Sequence, residues 1–154
     1  MKRIILTLII LAISTGAFAM DRAEEVREAR AATYLKRDFF KASTIDGITD
    51  ALKEGAEIDS QDKRGRTMLI KWATGNADIV NYLLEERSDV DMQDNQGNTA
   101  LMIATKRNNV AIVKLLLEYE ADQDIENDAG ETALGLAEKY GLIEVINCLS
   151  AIPQ

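Results

Sequence analysis

The chain predicts an all-α fold, a solenoid of about four helix-turn-helix units joined by β-turn or hairpin tips. Three observations carry this. First, one short pattern occurs three times, as Gly65-Arg66-Thr67-Met68-Leu69, Gly97-Asn98-Thr99-Ala100-Leu101 and Gly130-Glu131-Thr132-Ala133-Leu134, with its threonines 32 and then 33 residues apart. A fixed period of this size marks stacked repeats, each burying its apolar face only against its neighbours. Second, the same period relates other positions. Asp59, Asp91 and Asp124 form one series; Ile48, Val80, Val113 and Ile146 form another; Ala51, Leu83, Leu116 and Leu149 form a third. Third, apolar residues between these positions recur with helical spacing, as at Val80, Leu83 and Leu84 or Val113, Leu116 and Leu117.

Residues 1–19 are set apart from the fold. Lys2 and Arg3 give a basic start, residues 4–13 an apolar run, and Ala17-Phe18-Ala19 a small-x-small end. This order predicts a secretory signal peptide cleaved after Ala19. Its apolar run is well short of the ~20 residues of a membrane-spanning helix. Residues 20–35 match no repeat. They are rich in helix formers, with Glu24 and Arg27 spaced to pair, and read either as a helix packing Val26, Ala29 and Tyr34 on the first repeat or as a frayed tail. The repeat domain then occupies residues 36–154, with units at about 36–61, 62–94, 95–127 and 128–154.

Within a unit, turn sequences such as Asp94-Asn95-Gln96-Gly97 and Asn127-Asp128-Ala129-Gly130 come first, with glycine free to take positive φ. The threonine two residues beyond the glycine is placed to cap a helix, its hydroxyl accepting from an orphan backbone N–H. A short helix follows, for example over 100–107 with Leu101 and Ala104 on one face, then a tight connection and a second helix. Between Thr67 and Val80 one residue is missing relative to the next unit, which leaves the register of Lys71 and Trp72 open.

These repeats resemble those of the ankyrin family. The D-x-x-G-x-T signature stands as Asp62-Lys63-Arg64-Gly65-Arg66-Thr67 and Asp94-Asn95-Gln96-Gly97-Asn98-Thr99, with Asn127 replacing the aspartate in the third copy. The second-helix signature stands as Ile112-Val113-Lys114-Leu115-Leu116-Leu117-Glu118. Departures are informative. The family's T-P-L-H segment lacks both proline and histidine here, as Thr67-Met68-Leu69-Ile70, Thr99-Ala100-Leu101-Met102 and Thr132-Ala133-Leu134-Gly135. The glycine that ends the second helix survives only as Gly55, with Arg87 and Glu120 in its place later on. If those two residues keep the left-handed conformation, each costs about 1 kcal/mol.

Composition narrows the function classes. With 18 basic and 26 acidic residues the net charge is −8, and signal cleavage would remove Lys2 and Arg3 to leave −10. Such a surface repels phosphate backbones and anionic lipid, so no nucleic acid partner and no membrane insertion after cleavage are expected; basic proteins are the easier partners. Histidine is absent, which removes the commonest general base and zinc ligand. Cys148 is the only cysteine, so no intramolecular disulfide forms; it lies in the helical register of Tyr82 and Leu115 and reads as a packing residue. Asp89, Asp91 and Asp94 suggest a calcium loop, but the sixth position of that pattern would be Asp94 rather than glycine and the twelfth Ala100. The aspartate series reads instead as bonding to turn backbone. No phosphate-cradling loop or nucleophile elbow is present, so neither catalysis nor a cofactor or metal is expected.

Binding is what the resemblance implies. Partners of ankyrin repeats contact turn tips and the exposed face of the first helices, which together line a concave groove. Carried over position by position, the tips are Lys63, Arg64 and Arg66, then Asn95, Gln96 and Asn98, then Asp128 and Glu131. The groove floor includes Trp72, Lys106, Arg107, Lys139 and Tyr140. Charge along these tips runs from basic through neutral to acidic. Trp72 is the leading anchor, with burial between repeats as its competing role. The reading is a small exported protein of bacterial type, a monomer that binds one protein, either as a periplasmic adaptor or inhibitor or as a secreted effector. A metal-dependent protein or enzyme using the Asp-rich turns is the remote alternative.

Overall fold

A computed structural model describes residues 36–37 and 39–151; the expected signal peptide at 1–19 and the expected helix or tail at 20–35 lie outside the described residues. Helical residues at 36–37 and 39–41 are followed by α1 (Ile45–Lys53), α2 (Met68–Trp72), α3 (Ala77–Glu85), α4 (Ala100–Lys106), α5 (Val110–Glu118), α6 (Ala133–Lys139) and α7 (Ile143–Ser150). Among the described residues the regular elements are all helices, joined by turns and irregular segments, without strands. In each of the later units a short first helix turns back into a longer second one: α2 against α3, α4 against α5, α6 against α7. First helices stack on first helices (α2, α4, α6) and second on second (α3, α5, α7), which makes the solenoid.

The helix starts follow from the threonines. Thr67, Thr99 and Thr132 are N-caps with extended backbone, and their hydroxyls accept from the amides of Ile70 at 3.2 Å, Met102 at 3.4 Å and Gly135 at 3.1 Å. Asn76 and Asn109 cap α3 and α5 in the same way, through the amides of Ile79 and Ile112. Leu142 opens α7 with no side-chain cap.

The helix exits follow one rule. At Gly55, Arg87 and Glu120 the chain turns left-handed, with φ of 100°, 66° and 60°. Each amide bonds back to a carbonyl three residues earlier, and the next amide to one five earlier: Arg87 to Leu84 and Ser88 to Leu83, Glu120 to Leu117 and Ala121 to Leu116. This paired closure satisfies carbonyls the helix end leaves open. Asn108 and Gly141 end α4 and α6 identically, with φ of 54° and 65°. The second unit departs. With one residue fewer, α2 has five residues against seven in α4 and α6. The amides of Gly75 and Asn76 both bond to the carbonyl of Trp72, and Gly75 is not left-handed. Gly75 and Asn108 each bond three residues back, so Trp72 takes the position of Thr105.

The core is the set of periodic positions. Ile48, Val80, Val113, Leu83 and Leu116 are fully buried, Leu149 nearly so, and Ile146 half-buried. Met68, Ala100 and Ala133 fill the place of the family's proline with no more than 1% exposure. Ile70 and Met102 occupy the histidine position and are buried, so apolar packing replaces the hydrogen bonds a histidine would make there. Phe39 closes the N-terminal end, fully buried and edge-on to Phe40 at 5.8 Å. Tyr82, Leu115 and Cys148 share one half-buried register against the core, and Tyr119 is exposed.

Candidate functional site

The tips are built by one acceptor each. The Oδ1 of Asp62 takes the amides of Arg64 at 2.8 Å and Arg66 at 3.0 Å. Asp94 Oδ1 takes those of Gln96 and Asn98, both at 2.9 Å, and Asn127 Oδ1 those of Ala129 at 2.9 Å and Glu131 at 3.0 Å. The amide Nδ2 of Asn127 is a donor an aspartate lacks, and it reaches Asn98 Oδ1 and Glu131 Oε2, each at 3.3 Å.

Neighbouring tips are joined through backbone. The Asn95 amide donates to the Arg64 carbonyl at 2.9 Å and the Asp128 amide to the Gln96 carbonyl at 3.1 Å. Glycine is required at these contacts for two reasons. Gly65 and Gly97 both have φ of 73°, and a Cβ on Gly65 would lie 2.7 Å from the Asn95 amide nitrogen, one on Gly97 2.8 Å from that of Asp128. Gln61 and Gln93 extend the ladder by donating to the carbonyls of Gln93 and Glu126.

The aspartate series ties the other side of the stack. Asp59 Oδ1 accepts from the Ser88 hydroxyl at 2.7 Å and the Asp89 amide at 3.0 Å, and Asp91 Oδ1 from the Asp122 amide at 2.9 Å. These aspartates therefore bind backbone of the following repeat. Burial pushes the Asp91 carboxyl above the usual carboxylate range; the Asp122 amide opposes this, and the charges of Asp122 and Asp89 add to it. Among the described residues no cluster of three or more acidic or cysteine side chains could hold a metal ion.

Between tips and first helices lies a groove of about 620 Å³ lined by Arg64, Arg66, Ile70, Thr74, Gln96, Ile103, Lys106, Arg107 and Tyr140. It brings together six of the residues the sequence points to: Arg64, Arg66, Gln96, Lys106, Arg107 and Tyr140. Four of the lining side chains are cationic and none is a carboxylate. Two of the cations are held in place. Arg66 is clamped by Asp62 Oδ2, with Nε at 3.0 Å and Nη2 at 2.7 Å. Lys106 donates to Asn98 Oδ1 at 2.7 Å. Burial raises the Asp62 carboxyl, but hydrogen bonds from the Arg66 side chain and from the Arg66 and Arg64 amides outweigh it and hold the group below its usual range.

Asn98 is placed inside, not on the surface. It is 3% exposed and bonded to Asp94, Lys106 and Asn127, so the surface at the middle tip belongs to Asn95 and Gln96. Glu131 carries Lys139 on its Oε1. Bonds from Lys139 and then Asn127 hold Glu131 below the usual carboxylate range, and Glu131 raises Lys139 in turn. The acidic end of the tip gradient is therefore met by a cation from its own repeat. Lys139 also lies 5.8 Å from the ring of Tyr140, which is 54% exposed at the groove's end.

Trp72 does not line this groove; it is half-buried and packs against the core. Its Nε1 is buried without a hydrogen-bond partner, as is the hydroxyl of Thr105 at the equivalent place in the next repeat. Sequence reasoning did not single out Lys71, which reaches across to the Phe40 carbonyl at 2.6 Å. Burial first, and then the charge of Arg66, hold Lys71 below its usual range, with Asp62 a partial offset. Nor did it find the apolar floor, Ile70 and Ile103. Helical periodicity placed both on a first helix, and their contact with the groove depends on how adjacent units are offset.

Comparison with protein families finds a match to ankyrin repeats in three copies, over residues 39–127 and 72–152. A search of curated proteins finds no match to the chain.

Proposed function

The chain belongs to the ankyrin-repeat family, whose members are protein–protein interaction modules and generally non-catalytic, and from that membership we propose an exported adaptor or inhibitor that holds one partner protein in its concave groove. The observation that carries this reading is the groove itself. Exposed groups from three consecutive units converge there on a floor of Ile70 and Ile103. Arg66 and Lys106 are fixed before any partner arrives, so less conformational entropy is lost on association.

A photo-crosslinking side chain at Gln96, exposed within the groove, tests the site against the same probe at Lys114 on the convex helix α5. The expected outcome is capture of one protein from Gln96 and none from Lys114. Capture from Lys114 alone places the binding face elsewhere. Export rests on Lys2, Arg3, the apolar run and Ala17-Phe18-Ala19. Fractionation with N-terminal sequencing should find a periplasmic chain beginning at Met20. Recovery from the culture medium alone would favour a secreted effector, and a retained Lys2 would exclude cleavage.

A further inference from the structure

On the basis of that groove reading, we propose that the segment seated there is an acidic peptide stretch of the partner, rich in Asp and Glu and carrying an aromatic or aliphatic residue. The whole chain is acidic, at a net −8. The groove has the opposite character: Arg64, Arg66, Lys106 and Arg107 line it and no carboxylate does. Arg64 and Arg107 are exposed and make no ion pair among the described residues. Unlike Arg66, whose charge is shared with Asp62, these two have their full charge to offer.

One of these cations also acts on the groove's neighbour Lys71, after burial and against a partial offset from Asp62. Lys71 is held below its usual range by burial and by Arg66. Like charges so gathered repel one another, and a polyanion relieves that repulsion when it binds. Arginine forks pair bidentately with carboxylates. Tyr140 and Ile103 give an apolar residue in the same segment a place to pack.

The surroundings separate an acidic peptide from other polyanions. The chain as a whole carries a net −8, and a long nucleic acid or an anionic membrane would have to lie across that acidic surface beyond the groove. A short peptide need cover only the cationic strip.

The test is an array of short peptides graded from Lys-rich to Glu/Asp-rich, each with and without one Phe, read by fluorescence anisotropy at low and physiological salt. Binding should concentrate in the acidic peptides that contain Phe and weaken as salt rises. Reversing the free cations, as Arg64→Glu with Arg107→Glu, should weaken it about tenfold or more, while Lys114→Glu on the convex face leaves it unchanged. Circular dichroism confirms that each variant is folded. No binding, equal binding of Lys-rich peptides, or equal or tighter binding of a single-stranded DNA oligonucleotide or of phosphatidylserine vesicles overturns the proposal. The two readings fail differently: if Gln96 captures a partner through a neutral or basic segment, the acidic ligand is wrong and the groove stands. If Gln96 captures nothing, the groove reading falls as well.

Discussion

Replacing Arg87 and Glu120 by glycine should stabilise the protein, because both sit at left-handed helix exits, with φ of 66° and 60°. A residue with a Cβ costs roughly 1–2 kcal/mol there. Glycine returns roughly 0.5–1 kcal/mol of that through its greater freedom in the unfolded chain. The net gain is therefore roughly 0.5–1 kcal/mol per site, and the sites, in different repeats, should be close to additive. At ~4 °C per kcal/mol for a domain of this size, each variant melts ~2–4 °C higher and the double variant ~4–8 °C higher. Among the described residues neither side chain makes an ion pair, and both are exposed. Thermal unfolding followed by circular dichroism is the assay, with Arg87→Ala and Glu120→Ala as controls. Alanine removes the same charges and keeps the backbone strain, so these should melt within about 0.5 kcal/mol of the parent. If alanine raises the melting temperature as much as glycine, the gain comes from charge and the backbone argument is refuted.

Two further outcomes follow from the tips and the aspartates. Gly97→Ala should cost more than Gly130→Ala: both glycines have φ near 70°, but a Cβ at 97 meets the next tip at 2.8 Å and one at 130 meets nothing closer than 3.9 Å. The difference should be roughly 1–3 kcal/mol in denaturant unfolding, the cost of forcing atoms into a packed contact, and equal losses would show that the tips do not stack. Asp91→Asn keeps the acceptor for the Asp122 amide and removes a carboxylate that the fold holds above its ordinary value of 3.8. The ionised form is thus penalised above the folded pKa, and the penalty is gone below 3.8. The variant should therefore melt higher at neutral pH, with the gain fading as pH falls through the raised pKa; a gain that persists at lower pH would rule out charge burial as its cause.

The fold was legible because its signals are local and repeated. The glycine-x-threonine pattern specifies a turn, a cap and a helix start within a few residues, and three copies 32 and 33 residues apart say that the units stack. The left-handed exits at Arg87 and Glu120 could be placed by aligning them with Gly55. The candidate groove was legible in part, since Arg64, Arg66, Gln96, Lys106, Arg107 and Tyr140 occupy positions whose exposure the repeat frame sets. Asn98 was not legible. Its burial depends on Asn127 and Lys106, a partner from the next repeat and one from the end of its own first helix. For Trp72 the sequence left two roles open, groove anchor or burial between repeats, because the missing residue disturbs the register there; it packs half-buried against the core.

Charge shows the same division between what is local and what is assembled. Summed over the chain it favours basic partners; within the groove the sign is reversed. The reversal comes from sorting. Asp62 and Asp94 turn inward to hold tip amides, and Asp59 and Asp91 bind the backbone or side chains of the following repeat. Those carboxylates are spent on the stack, whereas the side chains of Arg64 and Arg107 make no ion pair among the described residues. A solenoid permits this separation because each unit contacts only its neighbours. The residues between the fixed acceptor (aspartate or asparagine), glycine and threonine of a tip can then change sign from one repeat to the next, as Arg66, Asn98 and Glu131 do, without loss of the turn. On the proposed reading, partner choice is written in exposed side chains that the turns do not use, such as Arg64, Gln96 and Arg107. It is the local charge of those positions, read in the assembled groove, that predicts an acidic ligand for an acidic protein.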